Sequence, residues 1–230
     1  MTEQVSFTRQ GVLAGFLATV PVALSIFIFG LVFGIVAGQK GLSALETVLM
    51  SGVVFAGASQ MLAMELWHQP VPILTLGLAA LIINLRYLMM TAALKPWLAS
   101  LPPWKAYGTL YLIADENWAV SISQMRAGGR DAGFLLGSGL AIYSFWLVAS
   151  LIGRLFGAVI EQPERFGLDF VSTAVFVALA VGLWRGRGEI LPWLVAGSVA
   201  LLVKWLLPGT WYLIAGGLAG SLVGAWRDVR

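Results

Sequence analysis

The run Gly11-VLAGFLATVPVALSIFIFGLVFGIVA-Gly38 contains no charged side chain. A helix needs about 20 apolar residues to cross the hydrocarbon core of a bilayer, so this run is long enough to span a membrane. It is also longer than the apolar region of a cleaved signal peptide, which has roughly 7–15 residues. We therefore predict that it forms an uncleaved first transmembrane helix.

The composition extends this prediction to the whole chain of 230 residues, of which 59% are hydrophobic and only 11% are charged. Soluble domains carry about 25% charged residues. The sequence therefore predicts an all-α polytopic membrane protein, folded as a single integral membrane domain over residues 1–230. The net charge of +3 comes from scattered residues rather than a basic run, so no nucleic-acid partner is expected.

Eight apolar segments are candidate spans, some of them kinked or broken. Seven spans are the alternative, because only Pro208-Gly209 divides the last two segments. Helices are expected, since backbone groups in lipid must pair within a segment and no alternating barrel pattern is present. The predicted segments are 11–38, 43–67, 71–94, 106–125, 132–160, 168–184, 190–207 and 209–226.

Basic residues set the expected orientation, because cytoplasmic loops carry an excess of them. With eight spans, their distribution modestly favours both termini in the cytoplasm. The cytoplasmic side would hold Arg9, Arg126, Arg130, Arg185, Arg187, Arg227 and Arg230, and the opposite side Lys40, Lys95, Lys105, Arg154 and Arg165.

Glycines four residues apart recur in three segments and allow helix backbones to approach closely. Packing within the chain is the expected role, and docking of a separate small subunit is the alternative. These glycines are Gly30, Gly34, Gly38, Gly133, Gly137, Gly216, Gly220 and Gly224.

The two halves of the chain also resemble each other. Gly108-TLYLI-Ala114 is nearly repeated as Gly209-TWYLI-Ala215. This similarity indicates a four-plus-four duplication with both copies in the same orientation, although apolar sequences also resemble each other by chance. In a duplication, Gly216-Gly217 would occupy the places of Asp115-Glu116.

The pair Asp115-Glu116 is costly because it lies inside an apolar segment. A charged side chain at the centre of a membrane helix costs roughly 2.5–3.5 kcal/mol, and such residues face a cavity or a partner charge. We therefore predict that both acids bind substrate or couple a proton. Neighbours on a helix point about 100° apart, so the two carboxylates need not share one role.

Two positions predict a helix break. Pro21 removes a backbone hydrogen bond from the first segment. The stretch Phe55-AGAS-Gln60 holds a helix poorly, and Gly57 can adopt conformations closed to other residues. A broken helix exposes N–H groups that bind carboxylates, and a continuous helix is the alternative. The predicted substrate-binding residues here are Gly57, Ala58, Ser59 and Gln60.

Asn84 and Arg86 lie deep in the third segment. Arg86 either extends to the membrane surface or needs an internal anion, for which Asp115 or Glu116 is the candidate. An ion pair with one acid would leave the other free to exchange a proton. Asn84 is predicted to bind substrate.

Catalysis is not expected. The chain has no cysteine and a single histidine, so thiolate chemistry and multi-histidine metal sites are excluded, and no cofactor is predicted. Metalloprotease, nucleophile-elbow, P-loop and dinucleotide motifs are absent from the sequence. The ten tryptophans mostly fall near segment ends, which is typical of interfacial residues. Transport is the remaining function.

The combination Phe55-AGAS-Gln60, Asn84-LR-Tyr87, Asp115-Glu116 and Leu168-DFVSTAVFVA-Leu179 resembles the AzlC family, over about residues 11–225. The resemblance implies the large subunit of a branched-chain amino-acid exporter in the bacterial inner membrane, acting with a small AzlD-type membrane subunit. Ala114 departs from the hydroxyl residue that precedes the acidic pair in many members.

The resemblance therefore implies export of branched-chain or similar small apolar amino acids. Proton coupling is expected, because the chain has no ATP-binding motif. Two alternatives come from other classes of protein. One is a proton- or cation-conducting channel lined by Asp115 and Glu116, and the other is a scaffold whose glycines pack a partner.

Overall fold

The computed structural model describes residues 5–68, 70–157, 190–207 and 211–228, with four single positions between 158 and 189. These residues form eleven α-helices and, apart from one isolated bridge, contain no β-structure. The helices are α1 Arg9–Gln39, α2 Ala44–Val54, α3 Gly57–Glu65, α4 Ile73–Asn84, α5 Arg86–Ala93, α6 Lys95–Leu98, α7 Pro103–Tyr111, α8 Asp115–Arg126, α9 Gly133–Gly157, α10 Ile190–Leu206 and α11 Trp211–Asp228.

Seven of the eight predicted segments coincide with these helices, and the segment 168–184 lies outside the described ranges. Three segments are divided, as α2 with α3, α4 with α5, and α7 with α8. Arg9–Gln39, Ile73–Ala93 and Gly133–Gly157 are each long and apolar enough to cross a membrane. The expected all-helical membrane architecture is therefore confirmed for the described residues.

The predicted break at Pro21 is wrong, because α1 runs without interruption from Arg9 to Gln39. Proline removes only one backbone donor. Contacts with α9 hold α1 on both sides of this position. Thr19 and Ser138 share a buried hydrogen bond of 2.7 Å, and Gly30 lies against Ala149.

Helices α1 and α9 form the most extensive helix pair in the described residues, and they run parallel. Gly15 lies against Phe134 near the start of both helices, and Gly34 lies against Ser150 near the end of both. The two helices therefore run in the same direction. A Cβ atom at Gly137 would lie 1.8 Å from the carbonyl oxygen of Val12. These glycines therefore pack within the chain, as the small-residue spacing predicts.

Parallel packing places two positive helix N-termini side by side, and Asp131 offsets this charge. Its Oδ1 accepts hydrogen bonds from the N–H groups of Thr8 at 3.1 Å and Gly133 at 2.9 Å. Its Oδ2 accepts one from the Thr8 hydroxyl, whose oxygen accepts from Gly11 N–H at 2.9 Å. One carboxylate thus stabilises the start of both helices.

We expect Gly137→Ala to destabilise the protein by roughly 1–3 kcal/mol, because its methyl group collides with the α1 backbone. The matched control is Gly77→Ala in α4, where an added Cβ meets no atom within 4 Å. Because alanine favours the helix more than glycine does, the stability of that variant should be unchanged or higher by up to about 1 kcal/mol. Thermal unfolding of the purified proteins measures the difference. Equal melting temperatures would contradict the close α1–α9 contact.

Candidate functional site

The first break in a helix separates α2 from α3 at Phe55 and Ala56. The left-handed residue is Phe55, with φ 39° and ψ 50°, rather than Gly57, whose flexibility the sequence had suggested. This conformation costs a residue with a side chain about 1–2 kcal/mol, so surrounding packing must maintain it. The buried Phe55 ring packs edge-on against Tyr143, with ring centroids 5.0 Å apart.

Side chains satisfy some of the polar groups that this break exposes. At the end of α2, the Gly52 carbonyl accepts a hydrogen bond from the Tyr143 hydroxyl at 3.1 Å and another from Tyr111. At the start of α3, Gln60 Oε1 accepts from Ala56 N–H at 3.2 Å. Gln60 therefore stabilises the break itself.

Three backbone donors at the start of α3 remain unpaired. The N–H groups of Gly57, Ala58 and Ser59 have no acceptor among the described residues, and the first bond of the helix runs from Gln60 N–H to Ala56. Such a helix terminus carries partial positive charge and binds anions.

The second break separates α7 from α8 at residues 112–114, so Asp115 and Glu116 are the first residues of a helix. The sequence had placed them inside one continuous segment. Asn117 fixes this start, because its Oδ1 accepts from Ala114 N–H at 2.7 Å and its Nδ2 donates to the Leu112 carbonyl at 3.0 Å. Acidic side chains in a first helical turn are favoured by the helix dipole, which lowers the cost of placing them here.

Both breaks open onto one cavity. It offers about 40 Å³ to the centres of water-sized molecules, which is room for a few waters and less than leucine requires. Four side chains of α1 and α9 form an apolar wall, and half of the remaining lining residues are polar. The lining residues are Ile26, Phe29, Phe55, Gly57, Ala58, Arg86, Tyr87, Ala114, Asp115, Glu116, Ile142 and Trp146.

Arg86 is held inside this cavity by Asp115, since its Nη2 lies 2.9 Å from Asp115 Oδ2. Its guanidinium carbon also lies 5.4 Å from the ring centroid of Tyr87. Of the alternatives that the sequence left open, the structure therefore contains the Arg86–Asp115 pair. Glu116 has no ion-pair partner in the described part of the chain.

The predicted substrate-binding residues divide into two groups. Gly57, Ala58, Asp115 and Glu116 line the cavity. The side chains of Ser59, Gln60 and Asn84 do not line it. The Ser59 hydroxyl donates to Asn84 Oδ1 at 2.9 Å and so joins α3 to α4, while Gln60 is fully buried behind the break.

Sequence reasoning missed the apolar wall, above all Trp146, which is only 2% exposed. The placement of most tryptophans near segment ends predicts interfacial residues instead. Trp146 lies near the middle of the predicted segment 132–160, however, and that position was the available signal. Nothing in the hydropathy pattern distinguishes Ile26 and Ile142 from lipid-facing residues.

Fold and site together define an α-helical membrane protein with a charged internal cavity between broken helices. The family model described as "AzlC protein" matches residues 21–160, more than half of the chain. This range includes both breaks, Arg86 and the acidic pair. The chain belongs to the AzlC family.

Three relatives illustrate the similarity. An uncharacterized membrane protein of Archaeoglobus fulgidus is 30% identical, over 95% of this chain and 94% of that protein. The branched-chain amino acid transport protein AzlC of Bacillus subtilis is 24% identical, over 72% of this chain and 65% of that protein. The inner membrane protein YgaZ of Escherichia coli is 21% identical, over 89% and 85%. No solved structure matches the chain.

We expect Arg86→Gln to destabilise the protein by roughly 1–3 kcal/mol, because it leaves Asp115 without its partner. The effect should stay below that of a fully buried pair, since the side chains are 29% and 45% exposed. Adding Asp115→Asn should recover part of the loss, with a coupling of about 0.5–3 kcal/mol. Thermal unfolding of the single and double variants measures this coupling.

The matched control combines Arg86→Gln with Glu116→Gln, the neighbouring acid without an ion pair. It should recover less stability than the double variant with Asp115→Asn. Strictly additive effects in the Arg86 and Asp115 variants would contradict the ion pair.

Proposed function

We propose that this protein is the large subunit of a secondary transporter that exports branched-chain or similar small apolar amino acids. One observation carries the proposal: a single cavity combines unpaired backbone N–H groups, an acid without a partner and an apolar wall. A zwitterion with an apolar side chain requires these three features together.

The substrate's groups correspond to different parts of the cavity. Its carboxylate is expected at the N–H groups of Gly57 and Ala58, and its ammonium at Glu116. Its branched side chain is expected against Ile26, Phe29 and Ile142. The cavity must widen before leucine enters, and movement of the short helices α3 and α8 would provide that change.

The charges of the cavity suggest how protons drive export. Arg86 offsets one carboxylate, Asp115, and leaves the charge of Glu116 to be neutralised. Either a proton or the substrate ammonium can neutralise it. Competition for one carboxylate would couple proton entry to amino-acid exit without ATP.

Membership of the AzlC family supports the proposed substrate, because the Bacillus subtilis relative is named a branched-chain amino acid transport protein. We extend the proposal to a location in the bacterial inner membrane, with a small AzlD-type subunit as the partner. A neighbouring reading frame for a small apolar protein would support that partner.

The parallel arrangement of α1 and α9 supports the proposed duplication and span count. Two parallel helices in one chain require an odd number of crossings between them. The three divided segments α2–α3, α4–α5 and α7–α8 supply three crossings. Eight spans with both termini on one side of the membrane follow if the second half repeats this pattern, and the distribution of basic residues favours the cytoplasmic side.

We expect Glu116→Gln to abolish export while the amount of folded protein stays unchanged, because the neutral amide cannot exchange a proton. The matched control is Glu65→Gln, at the exposed end of α3, which should export normally. Export is measured as the amount of leucine that accumulates inside cells fed leucine dipeptides, where less accumulation means more export. The gene is deleted in one strain and restored together with its neighbouring gene in another. Full export by Glu116→Gln would overturn the assigned role of this acid.

A second measurement separates a transporter from a channel. Proteoliposomes loaded with unlabelled L-leucine should take up labelled L-leucine by saturable counterflow, and D-leucine should compete poorly. Proton conductance without counterflow would contradict the proposed transport and favour a channel.

A further inference from the structure

We propose that the indole N–H of Trp146, together with Nε of Arg86, binds the substrate carboxylate at the start of α3. The inference rests on the proposed function and deepens it, because it names the residues that select a carboxylate. Trp146 belongs to α9, which no sequence motif connected with the site.

Trp146 carries an unsatisfied donor in a buried position. The residue is 2% exposed, and its Nε1 has no hydrogen-bond partner in the described structure. Buried polar groups are nearly always paired, so an unpaired donor that lines a cavity indicates an acceptor that arrives with a ligand. Two other tryptophans show the usual arrangement: Trp97 Nε1 donates to Gly129 and Trp118 Nε1 donates to Met90, both at 3.0 Å.

The indole ring is fixed in direction by two aromatic neighbours on α1. Its ring stacks on Phe33 with centroids 5.6 Å apart and an interplanar angle of 24°, and it meets Phe29 at 5.4 Å and 61°. A donor on a ring held in this way loses little conformational freedom when a ligand binds.

The six-membered ring of the Trp146 indole lies beside the start of α3. A Cβ atom at Gly57 would lie 3.2 Å from Trp146 Cη2 and 3.6 Å from Cζ2. In an indole, Cζ2 is separated from Nε1 by one ring carbon, so the ring system that carries the unpaired N–H packs directly on the start of α3. The absence of a side chain at Gly57 allows this approach.

Arg86 supplies a second unpaired side-chain donor to the same cavity. Its Nη2 is occupied by Asp115, whereas its buried Nε has no partner in the described part of the chain. The indole, the guanidinium and the α3 amides therefore offer donors that no acceptor among the described residues occupies. A carboxylate presents two oxygens to such a group, and charge-assisted hydrogen bonds of this kind are strong.

Thermal unfolding with L-leucine and leucinol tests the proposal, because leucinol keeps the ammonium and side chain but lacks the carboxylate. The measured quantity is the ligand concentration that gives half of the maximal rise in melting temperature. In the full-length wild type, this concentration should be lower for L-leucine than for leucinol. In Trp146→Phe, we expect the concentration for leucine to rise roughly 10- to 100-fold, from loss of one hydrogen bond to a charged group. The concentration for leucinol should stay unchanged.

Trp97→Phe is the matched control, because it also removes an indole N–H from a buried tryptophan that packs against a phenylalanine. It should lower the melting temperature of the ligand-free protein, since its N–H is paired, and leave leucine binding unchanged. Trp146→Phe should weaken leucine binding whatever its effect on the melting temperature of the ligand-free protein. If Trp146→Phe does not fold, 3-benzothienylalanine at position 146 keeps the ring shape and replaces the N–H with sulfur.

The outcomes distinguish this inference from the proposed function. Equal weakening of leucine and leucinol binding, or no change in either, would overturn the role of the N–H and leave amino-acid transport standing. A wild-type protein that no branched-chain amino acid stabilises would overturn the proposed function and this inference with it.

Discussion

The constraint on which the structure depends is the need to pair every backbone N–H and C=O group inside a bilayer. A continuous helix satisfies it automatically, and two of the divided segments do not. Several of the groups that the two breaks expose are paired by side chains, namely those of Tyr111, Tyr143, Gln60 and Asn117. Unpaired N–H groups remain at the start of α3, beside the cavity. We infer that the exposed backbone is a binding surface rather than a defect.

Hydropathy allowed the sequence to predict where the helices lie, because lipid requires long apolar runs. The sequence also predicted the break before Gly57, because Gly57, Ala58 and Ser59 are three consecutive small residues that hold a helix poorly. The break before Asp115 could not be predicted in this way, since residues 112–114 contain neither glycine nor proline. It depends on Asn117 bonding to the backbone on both sides, a tertiary detail that composition does not reveal. At Pro21 the opposite occurred, because packing against α9 keeps the helix continuous.

The two halves of the chain differ at the position that carries charge. The acidic pair begins α8 after a break, whereas Gly216 and Gly217 lie within the uninterrupted helix α11. Gly216 instead packs against Ala196 and Ala200 of α10. If the halves arose by duplication, they differ here, because the first has an internal charged site where the second has close helix packing. The proposed transport site would then depend on the first half, with α9 contributing Ile142 and Trp146 to its wall.

The most direct test of the central claim uses the fact that the chain contains no cysteine. Ala114→Cys introduces one thiol into the cavity wall, and Ala127→Cys introduces one at an exposed turn after α8. The measurement is the rate at which a small maleimide labels each variant with and without L-leucine. If the cavity binds the amino acid, L-leucine slows labelling at position 114 several-fold and leaves position 127 unchanged. Equal labelling rates at position 114 with and without saturating L-leucine would contradict the account.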